Sequence, residues 1–345
     1  MRLLIVVPSQ ERATGNWVTA NRLQQGLAGR GHLVAVAATT GDPAELRASV
    51  AGATPELALL LHAWRSGRPW LESGLALPYA VLLTGTDINA GIHDPTQAPV
   101  IAAVLEGAAA ILLQDPASVA RLRGDRPAQA QRIHYLPPGI ILGAEPYPLR
   151  ARLAPAAGEL LCLCPAGIRP VKGVVELLAM CDPLRREGRP LRLACCGPLL
   201  DDAYSRKFLA AVAARPWAEY LGVVPAPAMP AALRQADVIL SNSFSEGLPN
   251  ALAEAAALGR PIVASAIPGH LAVVADGVNG LLYADAAGFQ RAMRRLLDEP
   301  DLLTDLSHPA PECFAPEREA ATLEAICRAI LAAPADMRPA DVIRS

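Results

Sequence analysis

The stretch Ser241-Asn242-Ser243-Phe244-Ser245-Glu246-Gly247-Leu248-Pro249-Asn250-Ala251-Leu252-Ala253-Glu254 carries two carboxylates across a turn rich in serine, glycine and proline. Residues 238–240 read as a strand and 241–248 as a turn. Pro249 suits the first position of a helix that Gly259 closes. A strand that turns into a helix amino terminus presents N–H groups without intrahelical partners, and these attract anions, phosphate above all. Glu246 sits in the loop at that terminus. Glu254 lies about five residues into the helix, roughly 7 to 8 Å further along at 1.5 Å per residue. Carboxylates do not bind phosphate, but they accept hydrogen bonds from hydroxyls, so the layout suits a diphosphate with hydroxyl-bearing groups on both sides. Without the strand–loop–helix context, the same pair reads as two solvated glutamates.

A second constellation is Cys164-Pro165-Ala166-Gly167-Ile168-Arg169-Pro170-Val171-Lys172-Gly173, which follows another strand and precedes a helix at about 174–180. Arg169 and Lys172 can neutralise a diphosphate and stabilise the charge that grows on it as it leaves. The plainer reading is two solvated basic residues in a loop. Of the 31 basic residues only two are lysines, Lys172 and Lys207, so a lysine placed in this loop is a pointed signal.

The elements that must hold these residues alternate in the α/β manner. Strands are expected at 3–7, 33–37, 57–61, 80–83, 109–113 and 133–136. After a proline-rich break at 146–158 they resume at 160–164, 191–196, 220–223, 238–240 and 261–264, with helical patterns between. The expected organisation is an N-terminal Rossmann-like acceptor domain at 1–150 and a C-terminal Rossmann-like donor domain at 151–315. A helix at 316–333 packs back on the first domain, and 334–345 form a tail. Two doubly wound sheets place ligands at their carboxyl ends, in a cleft between the domains.

Composition narrows the class. The chain has 345 residues, 52% hydrophobic and 19% charged, with net charge −2, which disfavours disorder and nucleic-acid binding. No apolar run reaches the length of a membrane span, and the first residues lack a signal-peptide pattern. The expected location is cytoplasmic, with the seven cysteines as free, buried thiols. No G-x-G-x-x-G follows the first strand and no P-loop is present, so a dinucleotide oxidoreductase and a P-loop kinase are disfavoured. There is no D-x-D motif. Asp201-Asp202 reads as a solvated loop, and His93, His134 and His308 as structural residues without metal spacing.

Glu246-Gly247-Leu248-Pro249-Asn250 with Glu254, then Gly259-Arg260-Pro261-Ile262-Val263-Ala264-Ser265 and Asp276-Gly277-Val278-Asn279-Gly280-Leu281-Leu282, resemble the retaining glycosyltransferases of family four (GT4), which have the two-domain GT-B fold. Thr14-Gly15-Asn16, Leu61-His62-Ala63-Trp64, Thr84-Gly85-Thr86-Asp87 and Arg169-Pro170-Val171-Lys172 resemble more narrowly the glycosyltransferase-1-domain-containing proteins. They are also similar to bacterial selenosugar synthases of selenoneine biosynthesis. The resemblance implies that Glu254 holds the ribose hydroxyls of a nucleoside diphosphate, and that Glu246 with the Gly247 and Leu248 amides holds the donor sugar beside Pro249 and Asn250. It implies that Arg169 and Lys172 clamp the diphosphate without a metal, that the Gly15 loop faces the diphosphate and acceptor, and that His62 sits near the anomeric carbon. Gly269-His270 matches a family loop near the donor sugar.

The chain departs from the family in three places. Gly167 stands where the family places an arginine five residues before the lysine, and Arg169 is only three before it. Thr84-Gly85 replaces a common His-Gly, and Thr14-Gly15-Asn16 a common Gly-Gly. Thr14, Asn16, Thr84, Gly85 and Asp87 are therefore the acceptor-side candidates. Asp87 either binds an acceptor hydroxyl or caps a helix, with the cap favoured because Asp is a preferred N-cap. His62 is either chemical or simply a hydrogen-bonded strand end.

The leading expectation is retaining transfer from a nucleotide sugar, a UDP-sugar first, to an unidentified acceptor, with no cofactor. The rivals are a selenosugar or thiosugar synthase using selenophosphate, and a nucleotide-sugar-binding protein without turnover. Membrane association is not predicted, although relatives often use lipid acceptors, and oligomeric state is not specified.

Overall fold

The computed structural model describes residues 1–9, 15–299 and 301–333. The chain divides into two units, Met1–Gly139 with the segment from Ala315 on, and Ile140–Phe314. The division falls at Gly139/Ile140, ahead of the proline-rich stretch, and the tail at 334–345 lies outside the described residues.

The first unit holds β1 (Arg2–Pro8), β2 (Leu33–Thr39), β3 (Leu57–Leu61), β4 (Tyr79–Leu82), β5 (Ala110–Leu113) and β6 (Ile133–Tyr135). They form one parallel sheet in the order β2-β1-β3-β4-β5-β6. Parallel strands covered on both faces are apolar at every position, and β1 shows why. Leu4 and Val6 enter one core, while Leu3, Ile5 and Val7 enter the other.

The second unit holds β7 (Leu160–Pro165), β8 (Leu191–Cys196), β9 (Ala218–Tyr220), β10 (Val238–Ser241), β11 (Ile262–Ser265) and β12 (Gly280–Tyr283), in the order β12-β11-β10-β7-β8-β9. This sheet is also parallel throughout. In β7, Cys162 and Cys164 face one core and Leu161 and Leu163 the other. Two expectations need correction. The strand placed at 220–223 ends at Tyr220, because Gly222 takes a left-handed φ of +74° that breaks the extended run. Four-residue β12 has no counterpart among the expected strands. Of the seven cysteines, all free, Cys313 is exposed and the others are buried.

The helix Pro316–Ala332 belongs to the first unit and lies against the helix Gly15–Ala28. A Cβ on Gly26 would stand 2.9 Å from the Ala320 Cβ, so the two helices meet where neither side chain is large. Arg22 and Glu319, both buried, form a two-point ion pair at 2.7 and 3.0 Å, and Gln114 Nε2 donates to Glu319 Oε1 at 2.6 Å.

One turn on, Arg328 and Arg30 hydrogen-bond the Glu324 carboxylate, and His32 Nε2 lies 3.1 Å away. These partners lower the Glu324 pKa from 4.5 to about 2. The folded value is depressed, so its stabilising contribution is complete above the ordinary carboxylate range and disappears as pH falls toward 2. The protection of the Pro316–Ala332 amides, taken against their intrinsic exchange rate at each pH, is therefore expected to fall between pH 4.5 and 2. Glu324→Gln should remove most of that dependence, and an unchanged profile would contradict the role given to the carboxylate.

Candidate functional site

In each sheet the connections leave one central strand in opposite directions, and ligands of open α/β sheets bind at the carboxyl ends of the strands flanking that point. In the second unit those strands are β7 and β10. The loop after β7 carries Arg169 and Lys172, and the loop after β10 carries Ser243 to Glu246.

The two loops are stitched together. Beyond β7 a single 3-10 turn, Pro170–Lys172, leads to Gly173 at φ +58° and then to the helix Val174–Arg186. A Cβ on Gly173 would sit 2.4 Å from the Asn242 carbonyl oxygen, so the left-handed φ and the close approach both require glycine. Asn242 Nδ2 donates to the Gly173 carbonyl at 2.8 Å, and Phe244 N donates to the Val171 carbonyl at 2.8 Å. Tyr283 Oη, at the end of β12, donates to Asn242 Oδ1 at 2.8 Å.

This framework brings Lys172 Nζ into an ion pair with Glu246 Oε1, which also accepts from Ser243 Oγ at 2.7 Å. Their side chains are 17% and 12% exposed. Burial opposes ionisation of Glu246. The adjacent Lys172 ammonium and the Ser243 hydroxyl outweigh it and leave the carboxyl pKa below its ordinary value. Arg169 is half-buried, and its buried Nε makes no hydrogen bond among the described residues, in contrast to the paired Lys172 ammonium.

Behind Glu246 lies the turn Pro268–Leu271. A Cβ on Gly269 would stand 2.3 Å from the Gly247 carbonyl oxygen and 2.7 Å from the Glu246 Cβ, so Gly269 lets this turn press against the Glu246 loop. His270 is fully buried. Its Nδ1 donates to the Ser265 carbonyl at 2.7 Å, which leaves Nε2 to accept from Ser241 Oγ at 3.1 Å. Burial lowers the His270 pKa and keeps the ring neutral. Ser265 Oγ donates to the Ser243 carbonyl at 2.6 Å, completing a path from His270 to the residue that holds Glu246.

The helix expected to start at Pro249 starts one residue later. Pro249 is extended, with ψ 93°, and the helix runs Asn250–Ala257 with no side chain capping it. Leu252, Ala253, Ala255 and Ala256 pack into the core, and Leu248 packs partly against it. Glu254 is the fifth helical residue and is 8% exposed. Gly247 and Leu248 are half-buried between the two carboxylates.

The acceptor-side candidates lie in the first unit. Gly15 and Asn16 open a helix, and Thr14 lies outside the described residues. His62 follows β3 at φ +82°, a left-handed conformation that costs a non-glycine residue about 1 to 2 kcal/mol. Its Nδ1 accepts from Trp64 N and Arg65 N, both at 3.2 Å, so Nε2 carries the proton and donates to Thr86 Oγ1 at 2.9 Å. Asp87 is fully buried. It accepts from Ala63 N at 2.9 Å, Thr84 N at 3.1 Å, and Gly85 N and Ile88 N at 3.0 Å. The favoured cap reading needs correction. Gly85, at φ +115°, precedes the short helix Thr86–Asn89, and Asp87 inside the first turn ties two loops together. Asp201, read as a solvated loop residue, is itself a cap, accepting from Tyr204 N at 2.8 Å.

Sequence reasoning assigned no role to Asn242, Ser243, Ser265 or Gly173. A serine three residues before Glu246 was the available signal for Ser243. Nothing local marks the others, whose partners lie on different strands. Among the described residues no three His, Cys, Asp or Glu side chains converge as a metal-ligand set, and no helix is long and apolar enough to cross a membrane.

Residues 159–299 match the family described as Glycosyl transferases group 1. The chain is 25% identical over 297 residues to glycosyltransferase 1 domain-containing protein 1 of Xenopus tropicalis, covering 84% of this chain and 86% of that one. Its fold matches a sucrose-phosphate synthase structure from Thermosynechococcus elongatus at TM-score 0.80 and 19% identity, over 96% of this chain and 100% of that one. It also matches Anabaena HepE in complex with UDP-glucose at TM-score 0.76 and 15% identity, over 94% and 99%. The second unit is thus similar to the glycosyl transferases group 1 family over residues 159–299, in a chain whose two parallel sheets have the GT-B fold.

Proposed function

We propose that the protein is a cytoplasmic, retaining glycosyltransferase that moves a sugar from a nucleoside diphosphate sugar, a UDP-sugar first, to an acceptor held by the first unit. The observation that carries this reading is the Lys172–Glu246 pair at the β7/β10 switch point, beside an uncapped helix that contains Glu254. UDP-glucose in the HepE structure supports the choice of donor.

In this reading Glu254 accepts from the ribose hydroxyls. Glu246, the Gly247 and Leu248 amides, and the Pro249–Asn250 turn receive the sugar. An ammonium has three donors, so Lys172 can keep one on Glu246 and direct another to the diphosphate, where Arg169 adds a second charge. Neutral His270 positions the Glu246 loop and transfers no proton. As the bond between the anomeric carbon and the phosphate oxygen breaks, these cations stabilise the departing diphosphate. The acceptor oxygen bonds to the same face of that carbon, and its proton passes to the phosphate oxygen that left. His62, with its proton on Nε2, stands on the acceptor side with Thr84 and Gly85.

Side chains and the helix terminus supply the positive charge, so transfer is expected to persist in a chelator. Titration with a panel of nucleotide sugars should give saturable binding of at least one. Glu254→Gln should weaken that binding about 10- to 100-fold, the equivalent of losing one charged hydrogen bond. NMR of the product should show the donor's anomeric configuration. Binding without turnover against a broad acceptor library would instead favour a nucleotide-sugar-binding protein, and absence of any binding would overturn the reading.

A further inference from the structure

Lys172 closes the single turn Pro170–Lys172, and the residue after it, Gly173, accepts from Asn242 Nδ2 through its carbonyl at 2.8 Å. Asn242 follows β10 directly and is 7% exposed. Both ends of its amide are committed. Tyr283 Oη donates to Asn242 Oδ1 at 2.8 Å, with the Ser241 carbonyl oxygen 3.0 Å away. A carbonyl oxygen only accepts, so the amide nitrogen must face Gly173 and the amide oxygen must face the tyrosine hydroxyl.

Tyr283 is fixed in turn by the core. It is 4% exposed, and its ring meets that of Phe289 edge-on, with centroids 5.2 Å apart. It ends β12, the edge strand, and in the order β12-β11-β10-β7 two strands separate it from β7. The relay from Tyr283 through Asn242 to Gly173 therefore ties the loop after β7 to the far edge of the same sheet. Lysine is a point charge on a flexible four-carbon stem, and a cation stabilises a developing charge best when it is already in place. The Glu246 carboxylate holds the ammonium end of Lys172. The backbone end is next to the carbonyl that Asn242 holds.

We propose that Asn242, oriented by Tyr283, is a positioning residue: it fixes the backbone from which Lys172 projects and so sets where the ammonium meets the donor's diphosphate. The proposal rests on the glycosyltransferase reading and adds to that site a residue that acts through Lys172. Its effect belongs to the phosphate end of the ligand and not to the nucleoside end.

The test compares UDP with uridine by ligand-observed NMR titration of the full chain, in wild type, Asn242→Ala, Tyr283→Phe, Lys172→Ala and the double variant Asn242→Ala with Lys172→Ala. Uridine lacks the diphosphate, so a change that acts through Lys172 weakens UDP alone. Asn242→Ala should weaken UDP about three- to tenfold, the equivalent of one neutral hydrogen bond, and leave uridine unchanged. Tyr283→Phe removes only the hydroxyl that orients the amide. It should shift UDP in the same direction by less, and it stays informative if the alanine variant does not fold. Once Lys172 is alanine, adding Asn242→Ala should weaken UDP no further, because changes that act on one shared interaction are not additive. Equal weakening of UDP and uridine, additive losses in the double variant, or wild-type UDP affinity in both Asn242→Ala and Tyr283→Phe would each overturn the proposal while leaving the donor reading intact. No saturable UDP binding in wild type, or none lost in Lys172→Ala, would overturn the donor reading and the proposal with it.

Discussion

Lys172→Ala is expected to lower kcat by about 10²- to 10³-fold, the cost of removing one preorganised charge-stabilising donor, or about 2.7 to 4 kcal/mol. The same change leaves Glu246 in a largely desolvated loop without the cation that lowers its pKa. Losing one partner of a fully buried pair costs about 3 to 5 kcal/mol, and partial exposure brings the expectation here to about 1 to 3 kcal/mol. A drop in rate alone could therefore reflect folding. Lys172→Met combined with Glu246→Gln removes both charges, so stability should return toward wild type while activity stays lost. Recovery of activity with stability would show that the pair only holds the loops together.

The pair also predicts an acid limit. Because the folded Glu246 pKa is depressed, its contribution is complete above about pH 4.5 and is lost as pH falls through the folded value. In Lys172→Ala the counter-ion is gone and the Ser243 hydroxyl is left to oppose the burial of the carboxyl. The loss should then begin at a higher pH.

Asp87→Ala is expected to be the most damaging change in the first unit. Four backbone N–H groups, of Ala63, Thr84, Gly85 and Ile88, converge on a carboxylate with no exposed surface. An unsatisfied buried donor costs about 1 to 3 kcal/mol, and loop relaxation spares some of the four, so a loss of about 3 to 5 kcal/mol is expected. That is a large part of the roughly 5 to 15 kcal/mol that stabilises a typical domain. Tryptophan fluorescence reports mainly on this unit, because Trp17, Trp64 and Trp70 lie in it and only Trp217 lies in the other. Its urea transition should move to lower denaturant, with Asp87→Asn intermediate. A loss below about 1 kcal/mol would mean that the carboxylate is not structural and would return Asp87 to the acceptor-binding candidates.

These two residues show what could be read from the chain in advance. Apolar runs such as Leu57–Leu61 announce themselves because both faces of a parallel strand are covered. The four-residue β12 does not, since Gly280–Tyr283 is too short to separate from a loop by periodicity. The run after Tyr220 looked strand-like because hydropathy does not register the φ of Gly222.

Lys172 and Glu246 each stood out locally, by residue type and by the turn that carries them. Their pairing did not, because it depends on β7 lying beside β10, a consequence of strand order rather than of any motif. Asp87 failed differently. Its residue type suggested a cap, and the actual partners include Ala63, 24 positions away in the chain.

The central claim is that the second unit's switch point holds a nucleoside diphosphate, and hydrogen–deuterium exchange with and without UDP tests it most directly. Exchange should slow in two stretches, 169–173 and 242–254, which are far apart in sequence and adjacent at the ends of β7 and β10. The slowing should be lost in Lys172→Ala and reduced in Glu254→Gln. Unchanged exchange in both stretches at saturating UDP, or slowing that appears elsewhere and survives both substitutions, would contradict the account.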